Sequence, residues 1–215
     1  MNVLVAGANG NTGRQVVKLL AERGYTVRAM VRDMAQGPAL VDLGGEPVLG
    51  DLETDDVASA PAGCDAVIFA AGAGAGSGPA RKETVDYGGA VKLMDAAVVH
   101  GVRRFVMLSA QIAGDPESVR HESESLYAYA LAKAKADQRL ESSDLDFTIV
   151  RPGRLTNEPG TGTITAATIL GRRGEIGRAD VAATLVSCLE VDRTIGLTFE
   201  ILSGDTPIRE ALQSL

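Results

Sequence analysis

The stretch VLVAGANGNTGRQVV, residues 3 to 17, constrains this chain more than any other, because an apolar strand runs through three spaced glycines straight into an amphipathic helix. Gly7, Gly10 and Gly13 stand in a GxxGxxG pattern. Glycines there make a tight turn, let backbone approach a pyrophosphate and let helix pack close to strand, while the helix N-terminus faces the anion. The predicted binding loop is Gly7, Asn9, Gly10, Asn11, Thr12, Gly13 and Arg14, and the implied ligand is a nicotinamide dinucleotide.

The rest of the chain supports that unit. Apolar segments at 2–6, 26–31, 46–49, 65–71, 104–108 and 147–151 alternate with helical patterns at 11–24, 83–101 and about 122–142. Such alternation predicts right-handed βαβ crossovers and a parallel sheet covered on both faces, a three-layer α/β/α doubly wound fold. A single domain over 1–215 is expected, with a dinucleotide-binding core at 1–152 and a substrate-side extension at 153–215. In that extension a helix is expected at about 178–190, then the strand LTFEILS, then a last helix capped by Asp205 or Thr206 with Pro207 in its first turn. The low-complexity run AAGAGAGSGPA, 70–80, follows a buried strand and is predicted to be a loop at the carboxyl edge of the sheet.

Composition removes several function classes. A net charge of −7 and only short basic pairs, Arg103/Arg104 and Arg172/Arg173, argue against nucleic acid. Cys64 and Cys188 are isolated, and His100 and His121 show no ligand spacing, so no metal site is expected. His100 precedes Gly101 at a helix end, where an imidazole meets the helix dipole. No apolar run is long enough to cross a membrane, and the N-terminus shows no secretory pattern; a cytoplasmic location is expected.

Cofactor preference is read at the end of the second strand, VRAMVRD. Arg28 and Arg32, with Arg14, put three guanidiniums near one pocket and favour the 2′-phosphate of NADP(H); the alternative is that Asp33 serves the ribose of NAD(H).

With these residues in place, the chain resembles the short-chain dehydrogenase/reductase superfamily, and within it the small, atypical, epimerase-like branch with flavin- and biliverdin-reductase relatives. The resemblance spans GANGNTGR, GDL at 50–52, FAAGAG, VDYGGAVKLMDAA, RFVMLSA, YALAK, LDFTIVRPGRLT and TFEILSGDTPI. It implies a Rossmann-type fold with Asp51 and Leu52 along the adenine, and Ala70, Ala71 and Gly72 along ribose and phosphates. Pro152 and Gly153 would line the nicotinamide end. Asp86 stands where the family often has asparagine. Ser109 matches the family's substrate-holding serine, although Ala110 and Gln111 replace the serine run of extended members; the alternative is a strand-end hydroxyl bonded to backbone.

The family's YxxxK pair falls on Tyr129 and Lys133, whereas Tyr127 is followed at that spacing by Leu131. Residues four apart share a helix face, so one ligand can meet both. A phenol of pKa about 10 needs help to act near neutrality, and an ammonium one turn away is expected to lower that value. Lys133 would also hold the nicotinamide ribose. The structural alternative is an aromatic–cation pair steadying a surface helix. Three functions follow: an NADP(H)-dependent oxidoreductase of a small carbonyl-like or conjugated substrate, an NADP(H)-sensing regulatory protein, or a small epimerase-like sugar-nucleotide enzyme. The short segment after residue 152 argues for a small or shallow substrate site. A monomer or a homodimer fits equally.

Overall fold

The computed structural model describes residues 1–54, 57–74 and 76–215; Ala75, inside the low-complexity run, lies outside the described residues. In chain order the first part comprises β1 (Asn2–Ala6), α1 (Asn11–Glu22), β2 (Thr26–Val31), α2 (Pro38–Val41), β3 (Gly45–Leu49) and β4 (Ala66–Phe69). Next come α3 (Pro79–Arg81), a π-helical turn (Lys82–Gly89), α4 (Ala90–Val99), β5 (Arg104–Leu108), α5 (Glu124–Glu141) and β6 (Asp146–Pro152). The remainder is β7 (Arg154–Thr156), β8 (Thr163–Ala167), β9 (Glu175–Gly177), α6 (Arg178–Ser187), β10 (Leu197–Ser203), β11 (Thr206–Pro207) and α7 (Ile208–Gln213).

The main sheet has the order β11-β8-β10-β6-β5-β4-β1-β2-β3. Every neighbouring pair from β10 to β3 is parallel, whereas β8 runs antiparallel to β10 and β11 antiparallel to β8. This is the Rossmann-type three-layer sandwich, with its topological switch point between β1 and β4. The extension is woven into it: β10 pairs with β6, residue Phe199 opposite Val150. Both edges carry a proline, Pro47 in β3 and Pro207 in β11.

Strand side chains alternate between the two faces, and each face has its own core. Val3 and Val5 join Val16, Val17 and Leu20 of α1 and Val181 and Leu185 of α6. Leu4 and Ala6 join Phe69, Leu93 and Met94 of α4 and Leu140 of α5. Both faces of β1 are therefore dry, which is why its sequence is an unbroken apolar run.

Three expectations need correction. The strand expected at 65–71 ends at Phe69, because Ala70 and Ala71 turn outward to form the cavity wall. The helix expected at 83–101 opens with the π turn, whose widened backbone carries Lys82 and Asp86 to buried positions. Pro207 is the N-cap of α7 and not part of its first turn, and no side chain caps that helix; Thr206 and Pro207 pair instead with Ile164 and Thr163.

Candidate active site

Backbone crowding dictates the glycines of the first loop. Gly7 sits at φ +78°, and a Cβ there would lie 2.6 Å from Ala71 Cα. A Cβ on Gly13 would lie 2.0 Å from Gly7 O. Gly10 is the N-cap of α1 and brings no side chain to the helix end. The first amides of α1, at Asn11, Thr12 and Gly13, therefore have no intrahelical acceptor and sit at the positive end of the dipole. Asn9 orders the loop from outside, its Oδ1 accepting from Arg14 Nε at 3.0 Å and Nη2 at 2.5 Å.

At the carboxyl edge of the sheet this loop borders a cavity of about 360 Å³. Gly7, Asn9, Gly10, Arg32, Asp51, Leu52, Ala70, Ala71 and Gly72, all predicted, line it. So does Arg81, which sequence reasoning missed and which pairs with Glu53 at 2.7 Å. Of the three guanidiniums expected here, only Arg32 is present. Arg28 donates to Ala62 O, near Cys64, at the opposite edge of the sheet. Four strand residues, about 13 Å of rise, separate it from position 32. Arg14 is held at the loop rim by Asn9. Asp33 is used locally, its Oδ1 accepting from Ala35 N at 2.9 Å.

The groove continues past Gly10 and Gly72 into a second cavity of about 590 Å³, where α5 presents its chemistry. Ser123 caps α5 by accepting from Leu126 N at 3.1 Å, and thereby fixes the helix that carries Tyr129, Lys133 and Asp137 on one stripe. Tyr129 is partly exposed and lines the cavity; Lys133 is buried. Lys133 Nζ donates to Leu108 O at 2.9 Å and lies 3.8 Å from Asp86 Oδ1. Asp86 Oδ2 accepts from Ala73 N at 3.1 Å, whereas its buried Oδ1 accepts no hydrogen bond among the described residues. Tyr127 and Lys135 are diverted to the surface, to Glu117 at 2.5 Å and Glu83 at 2.8 Å.

Ser109 behaves as neither alternative foresaw. Its Oγ donates to Asp137 Oδ2 at 2.8 Å, and Arg151 Nε donates to the same oxygen at 2.8 Å. The electrostatics differ as well. Burial raises the Tyr129 phenol above its ordinary value, and the carboxylates of Asp86 and Asp137 push the same way. Lys133 does not reverse this, because its ammonium is engaged by Leu108 and Asp86 and is itself lowered by burial. Burial likewise raises Asp137, against the opposing pull of Arg151 and Ser109. Asp137 was legible in principle, since it follows Lys133 by the same four-residue step.

A third cavity, of about 530 Å³, meets the second at Ser109, Leu126, Tyr129 and Leu155. Ile112, Val119, Leu126, Pro152 and Leu155 give it an apolar wall. Gly153 also lines it, and packs so closely on the backbone at Gly174 that a Cβ would lie 2.3 Å from Gly174 O. Its two arginines are both neutralised, Arg154 by Glu175 and Arg173 by Glu122. His100 is the C-cap of α4 and contacts Ala58 O at 2.8 Å, a structural place, while His121 is exposed. Among the described residues no cluster of metal-ligating side chains occurs, and no helix is long and apolar enough to cross a membrane.

The donor set fits a dinucleotide. A glycine cradle that a single Cβ would fill, an uncapped helix start and a groove leading to an apolar chamber suit a pyrophosphate flanked by two ring systems.

Comparison with known proteins agrees. The chain is 44% identical over 218 residues to an uncharacterised sugar epimerase, YhfK, of Bacillus subtilis, covering all of both chains. Among solved structures it is similar to a Bacillus halodurans protein described as a candidate NAD-dependent epimerase/dehydratase (TM-score 0.95, 40% identity, all of both chains). It is also similar to the oxidoreductase ylbE of Lactococcus lactis (TM-score 0.89, 33% identity, 100% of this chain and 96% of that one). The NAD(P)H-binding family matches residues 7–192. With its glycine cradle, switch-point groove and these relatives, the chain belongs to the NAD(P)H-binding, epimerase- and oxidoreductase-like Rossmann family.

Proposed function

We propose that this protein is an NADP(H)-dependent oxidoreductase that reduces a small carbonyl-like or conjugated substrate, with Tyr129 as proton donor. The observation that carries the reading is the position of Tyr129: it lines the junction where the nucleotide groove meets the apolar chamber, one helical turn from Lys133. A bound nicotinamide cofactor supplies or accepts a hydride. The residues of the cradle, with Arg32, Asp51, Leu52, Ala70, Ala71, Gly72, Lys133, Pro152 and Gly153, would hold it. Tyr129 Oη then delivers a proton to the substrate oxygen as charge develops there. A raised phenol suits that direction, because it keeps its proton across the neutral range. Ser109, whose O–H is committed to Asp137, offers the cavity only its lone pairs, which accept from the hydroxyl formed on reduction and not from the carbonyl itself. The apolar chamber with its neutralised arginines accommodates an uncharged conjugated body.

Because Arg32 is the one predicted guanidinium at the cavity, it carries the preference for NADP(H). Arg32→Ala is expected to weaken NADPH by roughly 10- to 100-fold, the range of a charge-assisted phosphate contact, with little change for NADH. Fluorescence titration with both cofactors checks it, and equal losses for the two would remove Arg32 from the 2′-phosphate. The raised phenol also predicts a pH profile: turnover in the reducing direction stays level from about pH 6 to 9, since the protonated acid persists throughout. A fall within that window would mean that the acid is another group.

One observation favours a second reading. The commitment of Ser109 to Asp137 withholds a donor from the substrate carbonyl, as would suit a cofactor-responsive binding protein. Tight NADPH binding without oxidation by aldehydes, quinones, flavins or biliverdin would decide for it.

A further inference from the structure

Around the π turn, charges are paired off one by one. Arg81 meets Glu53 at 2.7 Å, Glu83 meets Lys135 at 2.8 Å, and Asp86 lies 3.8 Å from Lys133. Lys82, in their midst, has no carboxylate within ion-pair distance among the described residues. It is 7% exposed, its Nζ donates to Gly74 O at 2.8 Å, and the same ammonium stands 5.2 Å from the centroid of the Tyr129 ring. An ammonium has three N–H donors, and a desolvated cation lacking a counter-charge is costly. The cavity it lines holds two further cations, Lys133 and Arg178, against one carboxylate, Asp86. Arg178 is held by a neutral partner, Asn157 Oδ1, at 2.8 Å. In a chain of net charge −7 this local excess of positive charge stands out against the background.

From this geometry we infer that Lys82 is an anion-recognition residue at the reacting end of the site, and that it holds a carboxylate carried by the substrate. The inference rests on the oxidoreductase reading and narrows its substrate to an acid: an apolar, conjugated body in the chamber beside Leu126 and Pro152, and an anionic end against Lys82. The phosphates of the cofactor are the other source of negative charge. They are already provided for by the amides at Asn11, Thr12 and Gly13, whereas Lys82 stands over the phenol ring.

The test uses the full chain saturated with NADPH, after binding of NADPH alone has been measured. trans-Cinnamate and trans-cinnamamide, equal in shape and different in charge, are titrated by calorimetry into wild type and Lys82→Met. Cinnamate is expected to bind wild type at least about tenfold more tightly than the amide, in line with a charge-assisted contact. That difference should vanish in Lys82→Met while its Kd for NADPH stays within about twofold. Wild type that binds acid and amide alike, or neither, overturns the inference without recourse to any variant. A rise of tenfold or more in the NADPH Kd of Lys82→Met also overturns it and returns the ammonium to the cofactor phosphates. Failure of wild type to bind NADPH at all would instead overturn the cofactor reading beneath it.

Discussion

Tyr129→Phe is expected to reduce NADPH-dependent turnover by about 10²- to 10⁴-fold, the span that a positioned proton donor contributes. The variant removes one oxygen and keeps the ring, so the packing of Tyr129 against Lys82 and the chamber wall is retained. NADPH affinity and thermal stability should therefore stay close to wild type. Parallel measurement of kcat, of the NADPH Kd and of Tm separates the cases: oxidation at the wild-type rate would remove Tyr129 from the chemistry, and a collapse in affinity would mean that the hydroxyl serves the cofactor. Lys133→Met should behave differently. Its ammonium sits beside the buried Asp86, and losing it leaves a carboxylate uncompensated, so stability falls together with activity.

Gly13→Ala should have the larger effect on binding. A methyl at that position would lie 2.0 Å from Gly7 O and 3.0 Å from Ala8 Cα, both backbone atoms that no rotamer change can move. The loop or the start of α1 must shift, which displaces the amides of Asn11 and Thr12 from any shared anion. Overpacking of this kind costs about 1–3 kcal/mol of stability, and NADPH affinity is expected to fall by roughly two orders of magnitude, the loss of two or so charge-assisted contacts. Calorimetric titration with a parallel unfolding curve checks both. Unchanged affinity would show that the cradle does not touch the pyrophosphate. Gly24, at φ +80° with open space around it, is the matched control for a glycine whose substitution strains the backbone locally without blocking the groove.

What the sequence made legible was local pattern, and what it concealed was distance and direction. The strands could be read because burial on both faces leaves them almost purely apolar, as in β1 and β5. The cradle could be read because its glycines are forced by contacts within a short span and against Ala71. Tyr129 and Lys133 could be read because a helix converts a spacing of four into a shared face. The π turn could not, since Val85, Ala90, Leu93, Met94 and Ala97 look like one continuous amphipathic helix and nothing in their identities announces an extra residue. That hidden register places Asp86 against Lys133, where its carboxylate adds to the burial that raises the phenol. Arg28 misled for a simpler reason: a strand fixes which face a side chain takes, but the edge it reaches depends on its distance from the strand end. Ser109 and Asp137 are 28 residues apart, and their bond exists only once β5 and α5 are packed.

The prolines at the two borders of the sheet have a consequence for how molecules of this protein meet. An outer strand is an open template, and a neighbour with matching amides can continue it indefinitely. Here Pro47 interrupts the row of donors at one border, and at the other the last strand is only Thr206–Pro207 before the chain turns into α7. Neither border offers an uninterrupted zip. Self-association through edge-to-edge growth of the sheet is thereby discouraged.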